Sequence, residues 1–193
     1  SIKPLFSFNT DKAEEDTGAK SDNIATTTVS NIGKATVTDV TGVVQEVMPS
    51  MVIIHNNRIK SSSFFGYGQE SEGLYASGSG IIVGKNDSEL LIATNFHVVD
   101  GADSIEVIFS DGSSDEEAAK KAVQADLKGP DPEMDLAVIA VSLKDIPADT
   151  ASKIKVATLG DSNALTLGEP AIAIGNALGY GQSVSTGVIS AIN

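Results

Sequence analysis

Gly80-Ile81-Ile82-Val83-Gly84-Lys85-Asn86-Asp87-Ser88-Glu89-Leu90-Leu91-Ile92-Ala93-Thr94 is the stretch that decides the fold class. Two short apolar runs rich in β-branched residues flank Lys85-Asn86-Asp87-Ser88, a cluster of turn residues, so Ile81 to Val83 and Leu90 to Thr94 read as the arms of a β-hairpin. Beyond it, Ile105 to Phe109 closed by Asp111-Gly112 reads as another strand, as do Leu136 to Val141, Ala171 to Ile174 and Val184 to Ala191. Short strands at frequent turn signals predict an all-β barrel or sandwich. Asp115 to Gln124, rich in Glu, Ala and Lys, is the exception and predicts a surface helical turn within a hairpin insertion.

Upstream, Met51 to His55 reads as a strand, and Asn56 to Ser77, with Ser61, Ser62, Ser63 and several glycines, reads as a long exposed loop. Val40, Val43, Val44 and Val47 have the spacing of one apolar helix face, with Thr38 or Asp39 as cap and Pro49 as stop. The division expected is an arm at 1–38, a first β-barrel at 39–145, and a linker with the first strands of a second barrel at 146–193. Within it, Leu143 to Lys155, containing Pro147, reads as a connection between two halves.

Composition narrows the function. The chain has 193 residues, 13 Lys plus Arg against 26 Asp plus Glu, and a net charge of −13. Phosphate chains are bound by clustered cations, so nucleic acid is excluded as the main partner, as are anionic membranes. With no cysteine there is no disulfide, thiolate metal site or cysteine nucleophile. No apolar run reaches the roughly 18 residues that span a bilayer. The first residue is Ser rather than Met, so processing or design is expected to have set the start of the chain.

Two histidines occur. His55 sits at a strand-to-loop edge beside two asparagines and is assigned no role. His97, in Ala93-Thr94-Asn95-Phe96-His97-Val98-Val99, follows directly on a strand, and Asp135 opens the apolar strand of Met134-Asp135-Leu136-Ala137-Val138. A carboxylate there either caps the strand edge or pairs with a cation or imidazole, because an unpaired buried charge is expensive. Pairing with His97 is the economical reading, with the carboxylate expected to lie buried behind the ring. Gly78-Ser79-Gly80 precedes a strand rather than a helix and is a strand-entry turn, not a dinucleotide loop. The acids Asp111, Asp115, Glu116 and Glu117 lack the spacing of a calcium loop and read as a solvated face. No metal or organic cofactor is implied.

Taken together, Ser77-Gly78-Ser79-Gly80-Ile81-Ile82-Val83, the Ala93 to Val99 and Met134 to Val138 segments, Leu159-Gly160-Asp161-Ser162 and Ala171-Ile172-Ala173-Ile174-Gly175-Asn176-Ala177-Leu178-Gly179 occur in an order that resembles the HtrA (Deg) family of trypsin-like serine proteases. The resemblance covers about residues 40 to 193. It implies an all-β, trypsin-like double β-barrel, here with the first barrel complete and only the first strands of the second. It matches His97 to the general base and Asp135 to the orienting carboxylate. Imidazole, with an ordinary pKa near 6.5, suits the taking and returning of a serine proton.

The family pattern further calls for a Gly-Asn-Ser-Gly-Gly type segment beyond the last strand, carrying the nucleophile and the oxyanion hole, and none is present. The resemblance therefore implies a serine endopeptidase acting on unfolded or misfolded proteins, with this polypeptide inactive alone. It also implies an extracytoplasmic enzyme, membrane-anchored upstream or secreted, followed by a peptide-binding domain and assembled as a homo-oligomer, a trimer. An unclosed second sheet favours strand-swapped self-association through residues 156 to 193. The competing expectation is a non-catalytic binding or regulatory module in which His97 and Asp135 are a relic.

Overall fold

The computed structural model describes residues 39–64, 67–176 and 182–192, and of residues 60–64 and 67–72 the backbone alone. The arm expected at 1–38 lies outside the described residues. Helix α1 (Thr41–Val47) opens the described chain, and the Thr41 N–H donates to Asp39 Oδ1 at 2.9 Å. Only the Val40, Val44 and Met48 side of it is even half-buried, and Val43 and Val47 face solvent, so its valine stripe is wider than the surface it covers. Pro49 falls in a 3₁₀ turn, Met48–Ser50, that ends the helix.

Six antiparallel strands then close into a barrel in the order β1-β2-β3-β6-β5-β4. They are β1 (Met51–Phe64), β2 (Tyr67–Lys85), β3 (Glu89–Thr94), β4 (Ser104–Phe109), β5 (Val123–Asp131) and β6 (Leu136–Ser142). The hairpin of β2 and β3 forms as its sequence predicts. Asn86 Oδ1 accepts from the N–H groups of Ser88 and Glu89 at 2.8 and 2.7 Å, which fixes the turn. Along β3, Leu90, Ile92 and Thr94 point inward, the period of two that a half-buried strand requires. Val52, Ile54, Ile82, Val107, Ile139 and Val141 join them in the core, where Gly80 lets three strands approach.

Several expectations are corrected. Asn56 to Ser77 is not a loop: among the described residues β1 and β2 pair from Met51 and Ile81 out to Phe64 and Tyr67, with one shift of register between Asn56 and Asn57. Past Asn57, β1 has left β4, and β2 joins β3 only from Gly80 onward, so the outer ribbon has no core face to impose an alternating pattern. Strand β5 was likewise invisible, because Val123 is its only buried residue. The helical turn α3 (Asp115–Lys120) stops short of the Gln124 expected.

The connection after β6 is tied to the barrel. Ile146 is buried, and short helix α4 (Ala148–Ala151) buries Thr150. The Thr150 hydroxyl donates to Asp111 Oδ2 at 2.8 Å, and Lys121 Nζ spans Asp111 Oδ2 at 3.0 Å and Asp149 Oδ2 at 2.7 Å. The Asp111 side chain is only 1% exposed, so it is a buried anchor and not part of a solvated face. Burial pushes its carboxyl up, but hydrogen bonds from Ser113, Lys121 and Thr150 outweigh that and hold it well below the usual carboxylate range. Beyond this anchor, β7 (Pro170–Gly175) and β8 (Ser183–Val188) form a separate two-stranded sheet.

Two outcomes follow from this packing. A Cβ on Gly80 would lie 2.7 Å from Ile54 Cδ1, 2.8 Å from Ile92 Cγ2 and 2.9 Å from Val52 Cγ2, so Gly80→Ala should cost about 1–3 kcal/mol in denaturant unfolding. A carboxyl lowered on folding contributes stability that is present above its unfolded pKa and lost as pH falls through the folded value. Asp111→Asn, which turns an acceptor oxygen into a donor against Ser113, Lys121 or Thr150, should therefore cost about 1–3 kcal/mol at pH 7. Urea melts should show that difference narrowing below about pH 5.

Candidate active site

Strand β3 ends at Thr94, whose hydroxyl donates to the Ser79 carbonyl at 2.7 Å. Asn95 keeps an extended backbone and starts the single-turn helix α2 (Phe96–Val99), which carries His97. The first N–H groups of a helix lack intrahelical partners, and here Asp135 supplies them from the turn that enters the neighbouring strand β6. The Phe96 N–H donates to the Asp135 carbonyl at 3.2 Å and the His97 N–H to Asp135 Oδ1 at 2.9 Å. Asn95 does not cap its own helix; its amide donates to Asp135 O at 3.1 Å and Oδ2 at 3.2 Å.

Asp135 Oδ2 remains for the imidazole, 2.8 Å from His97 Nδ1. Asp135 adopts φ 51°, the left-handed region that a non-glycine residue occupies only when its surroundings over-determine it. The bond from the His97 N–H, then that from its ring, holds the Asp135 carboxyl below its ordinary range, against some loss of hydration. A carboxylate only accepts hydrogen bonds, so Nδ1 carries the ring proton and Nε2 presents its lone pair.

The pairing expected from the sequence is thus formed, but not its burial. The Asp135 side chain is 45% exposed and the His97 ring 72%. Asp135 lies in a surface turn between the exposed Met134 and Leu136, which leaves its outer side to solvent.

Beside the pair runs a cleft of about 410 Å³, with Ser77, Ser79, Asn95 and His97 on one wall and Gly175, Asn176, Ser183 and Ser185 of the β7–β8 sheet on the other. The walls meet where the Asn176 N–H donates to Ser79 Oγ at 2.6 Å and its amide to Ser77 Oγ at 3.0 Å. Gly78 makes room behind them, since a Cβ there would lie 2.5 Å from Val98 Cγ2. Gly78-Ser79-Gly80 thus lies within β2, paired with Ile54, Ile53 and Val52, and is not the strand-entry turn expected, while Asn95 and Asn176 are contributors that no local pattern marked.

A second cavity, of about 470 Å³, lies against the outer face of β1 and β4 and contains His55. Burial lowers the His55 pKa, with Glu106 opposing.

A closed antiparallel barrel bearing a His–Asp pair on its rim, beside the start of a second sheet, defines a trypsin-like peptidase fold, and residues 78–193 match the trypsin-like peptidase domain family. The chain is 34% identical over 186 residues to the serine protease Do-like HtrA of Lactococcus lactis subsp. cremoris, covering 90% of this chain and 42% of that protein. It is 34% identical over 200 residues to the serine protease Do-like HtrB of Bacillus subtilis, covering 100% of this chain and 39% of that protein. A probable periplasmic serine endoprotease, DegP-like, from Halomonas elongata is 38% identical over 128 residues, 66% of this chain and 22% of that protein. Among solved structures, the HtrA-type protease AlgW with decapeptide superposes with a TM-score of 0.55 at 29% identity, over 77% of this chain and 44% of that one.

The chain belongs to the HtrA family of trypsin-like proteases. It spans about two-fifths of the length of the Lactococcus and Bacillus relatives.

Replacing Asp135 by Asn, which tolerates the same backbone conformation but can turn an N–H toward the ring, should shift His97 toward the Nε2–H tautomer. Long-range ¹H–¹⁵N spectra of the imidazole should show Nδ1–H in the parent and this change in the variant.

Proposed function

We propose that this chain supplies the general base, His97, and the orienting carboxylate, Asp135, of a serine endopeptidase that acts on unfolded polypeptides. The observation that carries the reading is the double hold of Asp135 on His97, ring at 2.8 Å and peptide N–H at 2.9 Å. Holding both fixes the tautomer and the direction of the ring together. Nε2 then faces the task of a base: it takes the proton of a serine hydroxyl as that oxygen attacks an amide carbonyl, and returns it to the leaving amine. Asp135 stabilises the imidazolium formed between those steps without itself taking the proton.

The serine and the oxyanion donors are assigned to a Gly-Asn-Ser-Gly-Gly type segment of a longer polypeptide. Within the cleft, Ser77 and Ser79 accept from Asn176, and the Ser183 hydroxyl donates to the Gly175 carbonyl, so these three are engaged in holding the walls. The 193 residues alone are thus inactive in this reading. The peptide named with the AlgW structure supports polypeptide as the substrate class, and the periplasmic relative supports an extracytoplasmic setting. The division at residues 38 and 145 is kept as part of the proposal, as are a homotrimeric longer protein and self-association of this chain through β7 and β8, whose outer edges lack strand partners among the described residues.

Casein hydrolysis by the longer polypeptide should fall about 10⁴-fold or more with His97→Ala, and the 193-residue chain should show none. An unchanged rate in the variant refutes His97 as the base, and hydrolysis by the short chain refutes the placement of the serine.

A further inference from the structure

Helix α2 is held at its other end by a group inside the barrel. Asn56 follows Val52 and Ile54 on the inward face of β1 and is 0% exposed. Its Nδ2 donates to the carbonyls of Val98 and Asp100, both at 3.0 Å. Arg58 Nη2 donates to the same Asp100 carbonyl at 2.7 Å, and the guanidinium lies 3.5 Å from the centroid of the Tyr75 ring. The chain leaves the helix through Gly101 at φ 61°, where a Cβ would stand 2.8 Å from Arg58 Nη2.

An interior amide is costly unless its groups are paired, and Asn56 Oδ1 has no partner among the described residues. The side chain is therefore kept for its two donors. What they hold is a four-residue helix, too short to persist by its own hydrogen bonds, in a chain with no cysteine to anchor it.

We propose that Asn56, assisted by Arg58, is a positioning residue for His97: it fixes the C-terminal end of α2 as Asp135 fixes the N-terminal end, and so sets the direction of the ring. This rests on the reading of His97 as the general base. Neither residue touches the reacting atoms. Loss of the hold lets α2 fray and the imidazole leave Asp135, which lowers turnover without altering substrate contacts.

The test has one arm on the ring and one on turnover. In the 193-residue chain, ¹⁵N spectra should show His97 as the Nδ1–H tautomer. Asn56→Leu, similar in volume and without donors, should keep the barrel methyl spectrum and move the ring toward the mixture of free imidazole, with Arg58→Leu moving it part of the way. A folded Asn56→Leu protein with an unchanged ring overturns the proposal, as does a parent ring already in the free mixture. If Asn56→Leu does not fold, Arg58→Leu at the barrel rim decides, and an unchanged ring there also overturns it.

In the longer polypeptide, Asn56→Leu should lower kcat about 10²-fold with KM within about twofold, and unchanged kcat overturns the proposal. Should the parent longer polypeptide fail to hydrolyse casein, the peptidase reading fails by itself, and the ring spectra still decide whether Asn56 orients His97.

Discussion

The register of β3 on β6 is the constraint on which the cleft depends. Thr94 pairs with Ala137, so the residues leaving β3 and those entering β6 emerge side by side at one rim of the barrel. That single alignment sets Asn95, Phe96 and His97 against Asp135, although 38 positions separate His97 from Asp135 in sequence. A slip of one residue would turn Leu90, Ile92 and Ile139 out of the core, so the burial that stabilises the barrel also fixes the pairing at its rim. Site geometry is thereby determined by apolar packing that never touches it. The local polar contacts only refine the angle of a helix whose place is already set.

Two aspartates show how one side chain serves different ends in different surroundings. Asp111 is enclosed, and Ser113, Lys121 and Thr150 satisfy it, so it joins the connection after β6 to the barrel and is left no free face. Asp135 is held by as many donors, yet all come from one short segment, Asn95 to His97, and nearly half its side chain meets solvent. Removing charge from a buried network costs stability, because its donors are left facing a group that cannot accept. At the exposed site the water-screened pair is worth little as a salt bridge, and its value lies in direction and tautomer. The depressed pKa of each aspartate has the same sign and a different consequence.

How much of this was legible follows from where burial imposes a pattern. The Gly80 to Thr94 hairpin and β6 could be read because one or both faces are enclosed, and His97 and Asp135 because each interrupts an apolar run with a group that needs a partner. The outer ribbon of β1 and β2 has no enclosed face, and β5 has one buried residue, so periodicity had nothing to act on. Asp111 was misread because its partners, Lys121 and Thr150, come from later segments that only the fold assembles. Asn56 is hidden for the opposite reason: it continues β1 in phase with Val52 and Ile54, but its polar side chain beside Asn57 carries the signal of a loop. A polar residue that continues the inward phase of a strand deserves to be read as a core position with a donor's task.

The two walls of the cleft are built to different standards of rigidity. His97 stands on the wall made by the closed barrel, where core packing, strand register and the contacts of Asp135 and Asn56 all act on one turn of helix. The facing wall is a two-stranded sheet whose second strand is exposed at every residue and which, among the described residues, is hydrogen-bonded to β2 through the adjoining Asn176. Local stability follows enclosed contacts, so the second wall is the one expected to open and adjust at low cost. In the role proposed for it, His97 must be aimed before reaction, since misplacement by about 1 Å costs on the order of 10²-fold. His97 thus stands on the stiff wall, with Asn176 as the joint at which the softer element is referenced to the barrel.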